Sequence, residues 1–187
     1  MNTTLLEVDQ NNPKLKGTEP DLLPKGVGEM ASNLRSLLAD VFALYVKIKN
    51  FHWHMSGPHF RDYHLLLDDH GDQVFAMTDA IAERIRKLGG EALHSISDVG
   101  RHQRLSDDNR SPLAPATMLS ELLADNRMLA HYLRQAHSIC ERYGDVATTS
   151  LIENWVDETE RRAWFLREIA EPQPQPQAST LQNKEKP

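Results

Sequence analysis

The run from Phe60 to Leu88 constrains this chain more than any other. It is long enough for about eight turns of helix, and it carries two separated pairs of candidate metal ligands. Each helical step turns about 100° and rises about 1.5 Å, so relative to His64 the side chains of Asp68, Asp79 and Glu83 fall near 40°, 60° and 100°. All four share one face, and His52 precedes them at the end of another helical stretch. Neutral nitrogen beside anionic oxygen suits a borderline divalent ion such as Fe(II) better than thiolate would. The plainer reading is a solvated charged stripe, since charged residues are mostly exposed. Phe75, at about 20°, stands inside that stripe, and a purely solvated face has little use for its ring.

Distance adds a second constraint. The His64/Asp68 and Asp79/Glu83 pairs have midpoints fifteen residues apart, roughly 22 Å along the axis, so one metal centre cannot use both pairs of one chain. The geometry closes when two copies of the helix pack antiparallel about a two-fold axis crossing between Gln73 and Val74. Gly71 lies on the same face close by. A glycine there costs the helix about 1 kcal/mol, which close approach of a partner backbone would offset.

Residues 1 to 27 carry prolines, asparagines and mixed charge without periodicity and read as a flexible tail. Met30, Leu34, Leu37, Leu38, Val41, Leu44, Tyr45 and Ile48 then recur at three- and four-residue steps, predicting a first helix that ends near His52 and Trp53. Gly57-Pro58 stops it, the second helix follows at once, and Gly89-Gly90 ends that one. Residues 89 to 114 form a long crossover with one short helical turn around Ser95 to Arg101. Pro115 and Thr117 open a third helix, which Gly144 closes. Asp145 is placed to cap a fourth, which ends before PQPQPQ, and residues 171 to 187 read as a second flexible tail.

Two short hairpins joined by one long crossover describe an all-α, ferritin-like four-helix bundle over residues 28 to 170, with the crossover between the second and third helices. The chain has 187 residues, 40 % of them hydrophobic, enough for one sizeable core. Its single cysteine, Cys140, excludes an internal disulfide or thiolate cluster and falls among the apolar positions of the third helix. No apolar run reaches the ~18 residues of a membrane span, and the amino-terminal residues lack a signal core, so a cytoplasmic location is expected. Bundles that build a di-iron site within one chain need Glu-x-x-His on core helices. The only match, Glu91-Ala-Leu-His94, follows the Gly-Gly break.

His52-Trp53, Gly57-Pro58-His59-Phe60, His64 with Asp68, Asp79 with Glu83, and Leu88-Gly89-Gly90 together resemble the Dps family of mini-ferritins over about residues 30 to 170. The family's ferroxidase motif is matched at all five ligand positions. The resemblance implies a di-iron ferroxidase centre shared between two subunits, with His52, His64 and Asp68 from one and Asp79 and Glu83 from its two-fold mate. It further implies a hollow homo-dodecamer built from two-fold dimers, which oxidises Fe(II) to Fe(III), preferably with hydrogen peroxide. The ferric mineral would be stored inside, protecting against oxidative stress. In such a centre the carboxylates stabilise Fe(III) relative to Fe(II), while neutral imidazoles keep the site able to accept Fe(II).

Other residues are read more plainly. Trp53, beside His52, is placed either to intercept stray oxidant or, more simply, to pack at the dimer seam. His54, His59 and His70 read as surface residues. Glu141, Asp145 and Glu153 gather around the last turn, where they either line a pore at a three-fold axis through which iron enters or serve as a helix cap plus exposed acids.

The competing, non-enzymatic reading is a nucleoid protein that binds and compacts DNA. Residues 1 to 30 set Lys14, Lys16 and Lys25 against five acids, and residues 171 to 187 carry equal numbers of lysines and glutamates. With a net charge of -6, neither tail has the cation density that counterion release from DNA requires. An oxygenase with a facial His/carboxylate site is a third reading, and iron-dependent turnover without any organic substrate would separate it from a ferroxidase.

Overall fold

A computed structural model describes residues 24 to 170. Five helices follow in order: α1 (Pro24–His54), α2 (Phe60–Lys87), α3 (Ile96–His102), α4 (Pro115–Arg142) and α5 (Val146–Ala170). The four long helices form the expected bundle: α1 pairs with α2, α4 with α5, and α1 with α4. α1 starts at Pro24, so residues 24 to 27, read as tail from their composition, are helical. Proline is tolerated in a first turn, where the missing N–H would have no helical partner. The expected tails 1–23 and 171–187 lie outside the described residues.

The apolar spacing of α1 becomes the centre of the core. Met30, Leu34, Leu37, Val41, Leu44, Ile48 and Phe51 are buried, facing Leu67, Val74, Ile81 and Ile85 of α2 and Leu122, Leu129 and Leu133 of α4. Gly57 takes the turn to α2 with a positive φ of 99°. At the far end the Gly90 N–H donates to the Ile85 carbonyl, wrapping the last turn of α2. A Cβ on Gly90 would stand 2.7 Å from Ala31 Cβ, so only glycine lets this turn lie against α1.

A charged anchor ties the crossover down. Asp40, fully buried on α1, accepts from the Arg104 and Leu105 backbone N–H groups and from the Arg104 guanidinium, which also lies 3.7 Å over the Tyr132 ring. A buried carboxylate with four donors is well compensated. Within the crossover the Asp98 N–H donates to the Ser95 hydroxyl, which caps α3. No helix among the described residues is long and apolar enough to cross a membrane.

Candidate metal centre

His52 sits in the last turn of α1 and His64 in the second turn of α2, and the tight turn brings them face to face. Their rings stack at 3.7 Å between centroids and 20° between planes. His52 Nδ1 lies 2.8 Å from the His64 carbonyl oxygen, and His64 Nδ1 lies 3.1 Å from the His52 carbonyl oxygen. A carbonyl only accepts, so each Nδ1 carries its proton and donates it. In the neutral ring this leaves the lone pair on Nε2, the tautomer a metal-binding imidazole needs. Phe60 packs beside His64 at 5.0 Å.

Asp68, one turn along α2, puts Oδ1 3.8 Å from His52 Nε2. The same oxygen accepts from Lys49 Nζ at 2.7 Å. The Lys49 hydrogen bond, and then its charge, hold the Asp68 carboxyl below the usual carboxylate range. Lys49 is a neighbour of the candidate ligands that sequence reading passed over. Its signal was present, since Lys49 lies one turn before His52 on a helix expected to pair with α2.

Asp79 and Glu83 lie farther along α2, and both are exposed. Glu83 accepts from Lys87 Nζ at 2.8 Å, which lowers its pKa. Within one chain the structure therefore brings His52, His64 and Asp68 together and leaves Asp79 and Glu83 apart from them. Among the described residues of a single chain, no group of three or more His, Cys, Asp or Glu is placed to hold a metal. Trp53, next to His52 in sequence, is 65 % exposed, and Phe75, whose ring lies 4.9 Å from that of Tyr45, is 50 % exposed. Trp53 is exposed in the single chain, which is compatible with either role expected for it.

Two expectations are corrected, and one pair of alternatives is narrowed. Gly71 is buried against its own α1: an added Cβ would meet Lys49 Cδ at 3.3 Å and Ile48 Cγ2 at 3.6 Å. The face that Gly71 presents is therefore turned to α1 of its own chain. His70 is not a surface residue but is 2 % exposed, because α5 covers that side of α2. Burial, then the charges of Arg162 and Arg161, bring its pKa down to about 4. For Asp145 the capping alternative holds: it is 4 % exposed and caps α5, accepting from the Thr148 N–H at 3.1 Å, from the Thr148 hydroxyl and from Arg84 Nη2 at 2.6 Å. Of the three acids expected around a pore, only Glu141 and Glu153 are exposed, and Glu153 Oε1 lies 3.2 Å from His137 Nε2. His54 and His59 are exposed, as expected.

With this geometry in hand, comparison with known proteins is direct. The family model of the ferritin-like domain matches residues 31–172. A low temperature-induced protein of Nostoc is 33 % identical over 138 residues, 73 % of this chain and 77 % of that protein. DNA protection during starvation protein 1 of Deinococcus radiodurans is 27 % identical over 140 residues, covering 75 % of this chain and 68 % of its own length. The X-ray structure of Dps from Thermosynechococcus elongatus superposes with a TM-score of 0.77 at 28 % identity, covering 80 % of this chain and 94 % of that one. The long crossover, the paired histidines at the α1–α2 turn and these likenesses agree with one another: the chain belongs to the Dps family of ferritin-like proteins.

Proposed function

We propose that this protein takes up Fe(II), oxidises it to Fe(III) at sites shared between two subunits, and stores the ferric product inside a closed dodecameric shell. The observation that carries this reading is the half-site: His52, His64 and Asp68 converge with both Nε2 atoms free, while Asp79 and Glu83 stand exposed on the same helix roughly 22 Å along its axis. A two-fold mate laid antiparallel supplies the missing carboxylates to each half-site. The exposed Trp53 and Phe75 beside the ligands supply an apolar surface for that contact.

Iron is the substrate here, and the protein's part is positioning and charge. Reciprocal hydrogen bonds from Nδ1 to backbone carbonyls fix the orientation of both rings, so the neutral imidazoles present Nε2 to Fe(II) without a reorganisation cost. Carboxylates from both subunits favour the Fe(III) product. Lys49 holds Asp68 ionised before metal arrives and must yield it when Fe(II) binds. Two ferrous ions held close together let one hydrogen peroxide accept two electrons and two protons and leave as two waters. No hydroxyl radical is released in that event. Glu141 and Glu153 are the exposed acids that a three-fold pore would use to draw cations inward.

A second reading rests on the relatives. Those named for DNA protection during starvation, such as that of Deinococcus radiodurans, raise DNA protection as a role for this chain. Shielding DNA from peroxide by removing Fe(II) needs no contact with DNA, and that is the form compatible with the acidic charge of this chain.

The deciding experiment is anaerobic Fe(II) titration followed by peroxide addition, with native particle mass measured on the same sample. A closed oligomer far larger than the 21.3 kDa chain, with iron oxidised at two Fe(II) per peroxide, is expected. A monomer in native solution, or oxidation that requires an organic substrate, would refute the reading.

A further inference from the structure

Hydrogen peroxide attacks a protein at sulfur without help from a metal, and access to the sulfur atom sets where it does so. Among the described residues sulfur occurs in Met30, Met55, Met77, Met118, Met128 and Cys140. All but one of these lie in the core, and Met128 is 44 % exposed. Cys140 is closed to oxidants for two reasons. It is buried, and burial, then the charge of Asp145, pushes its thiol up to about 12, so the reactive thiolate is absent near neutral pH.

Met128 stands in the middle of α4 on its solvent face. Ala124, Arg127 and His131, its neighbours on that face, are exposed as well, whereas Leu129 and Leu133 turn into the core. Asp125, three residues earlier, is drawn inward by Lys47 at 2.7 Å. Among the described residues α4 packs on α1 and α5 and not on α2, the helix of His64, Asp68, Asp79 and Glu83. The Met128 thioether is therefore open to water on the side of the bundle away from those candidate ligands.

We infer that Met128 is a modification site for hydrogen peroxide, which converts its thioether to the sulfoxide on the folded protein. A sulfur lone pair attacks one peroxide oxygen as the O–O bond breaks. The hydroxide that leaves takes the proton from the transferred oxygen, so one peroxide and one thioether give one sulfoxide and one water. Sulfur supplies both electrons, no iron takes part, and the step is independent of the proposed iron centre. The polar product remains in water at position 128, whereas the same oxygen on Met30 or Met77 would have to be buried. Reduction by methionine sulfoxide reductases is the class of reaction that consumes this product and restores the thioether.

The test treats the native protein, stripped of metal and kept with a chelator, with hydrogen peroxide, and follows each methionine by peptide mass spectrometry. Oxygen should appear on Met128 at least about tenfold faster than on Met30, Met55, Met77 or Met118, which react only when the fold opens. In denaturant all five should react alike, so the rate in the native protein relative to that in denaturant should be near one for Met128 and far below one for the rest. A relative rate for Met128 as low as that of the buried methionines would mean that the native particle covers it, and would overturn the inference. Met128→Gln places a polar side chain of similar length at the site and should leave native particle mass and helix content unchanged. Loss of the native particle in that variant would show that the position is packed rather than solvated, with the same result. Iron is absent throughout, so failure of the ferroxidase reading would leave this outcome untouched.

Discussion

The proposed intersubunit centre makes a demanding prediction about mixtures. One variant changes His52 and His64 to Ala, and another changes Asp79 and Glu83 to Ala. Removing the two rings deletes two Nδ1 hydrogen bonds of 2.8 and 3.1 Å and one ring stack, a loss of roughly 2–3 kcal/mol at about 1 kcal/mol per hydrogen bond plus the stacking contact. That is a fraction of the ~5–15 kcal/mol of a typical domain, so the variant should still fold and assemble. Each variant alone should lose most peroxide-driven iron oxidation, since every site lacks half its ligands. When the two are refolded together in equal amounts, about half the dimers are mixed, and each mixed dimer has one fully intact site of its two. The mixture should therefore recover about a quarter of the wild-type rate, measured as Fe(III) absorbance after peroxide addition. If all ligands came from one chain, every site would retain a lesion. A mixture no more active than its parents would then refute the intersubunit site.

Four further outcomes follow from named contacts. Lys49→Gln removes the ammonium that occupies Asp68 Oδ1, so anaerobic Fe(II) titration should show tighter binding near neutral pH, and unchanged affinity would show that Lys49 does not compete with iron. Asp145→Ala leaves Arg84 without its carboxylate and α5 without its cap, and denaturant titration should show a loss of about 3 kcal/mol or more, whereas Glu141→Gln with Glu153→Gln should leave stability alone and slow iron uptake. Burial raises the Asp145 pKa, but Arg84 and Thr148 outweigh it and the net shift is downward, so this stabilisation is present above the ordinary carboxylate pKa and is lost as pH falls through the folded value. His70 is shifted from 6.5 to about 4, so the unfolded chain takes up a proton that the folded chain refuses between those values: stability should fall by about 2 kcal/mol from about pH 7.5 to pH 5, and His70→Leu should abolish that part of the pH dependence. DNA retardation at about 0.15 M salt should be weak or absent, and tight retardation lost on deleting residues 1 to 27 would show that the amino-terminal segment binds despite its balance of charge.

The fold was legible from the chain because its signals are local. A three- and four-residue apolar period, glycines at 57, 89–90 and 144, and Pro115 define four long helices, and the spacing of His64, Asp68, Asp79 and Glu83 along one of them excludes a centre built from both pairs of a single chain. What only the tertiary structure decided is which faces are covered and by what. His70 looked like a surface residue until α5 was laid over it, and Gly71 lies against Lys49 and Ile48 of α1. Asp145 became a buried cap through Arg84, 61 residues away, and Asp40 holds the crossover through Arg104, 64 residues away. Helical periodicity gives the angle of a side chain about its own axis, but its neighbour is set by how separate helices pack, and that information is not in any local window. The same limit applied to the ligands: arithmetic placed His64 and Asp68 on one face, whereas the turn geometry alone determined that His52 and His64 donate to each other's carbonyls and so leave both Nε2 atoms free for metal.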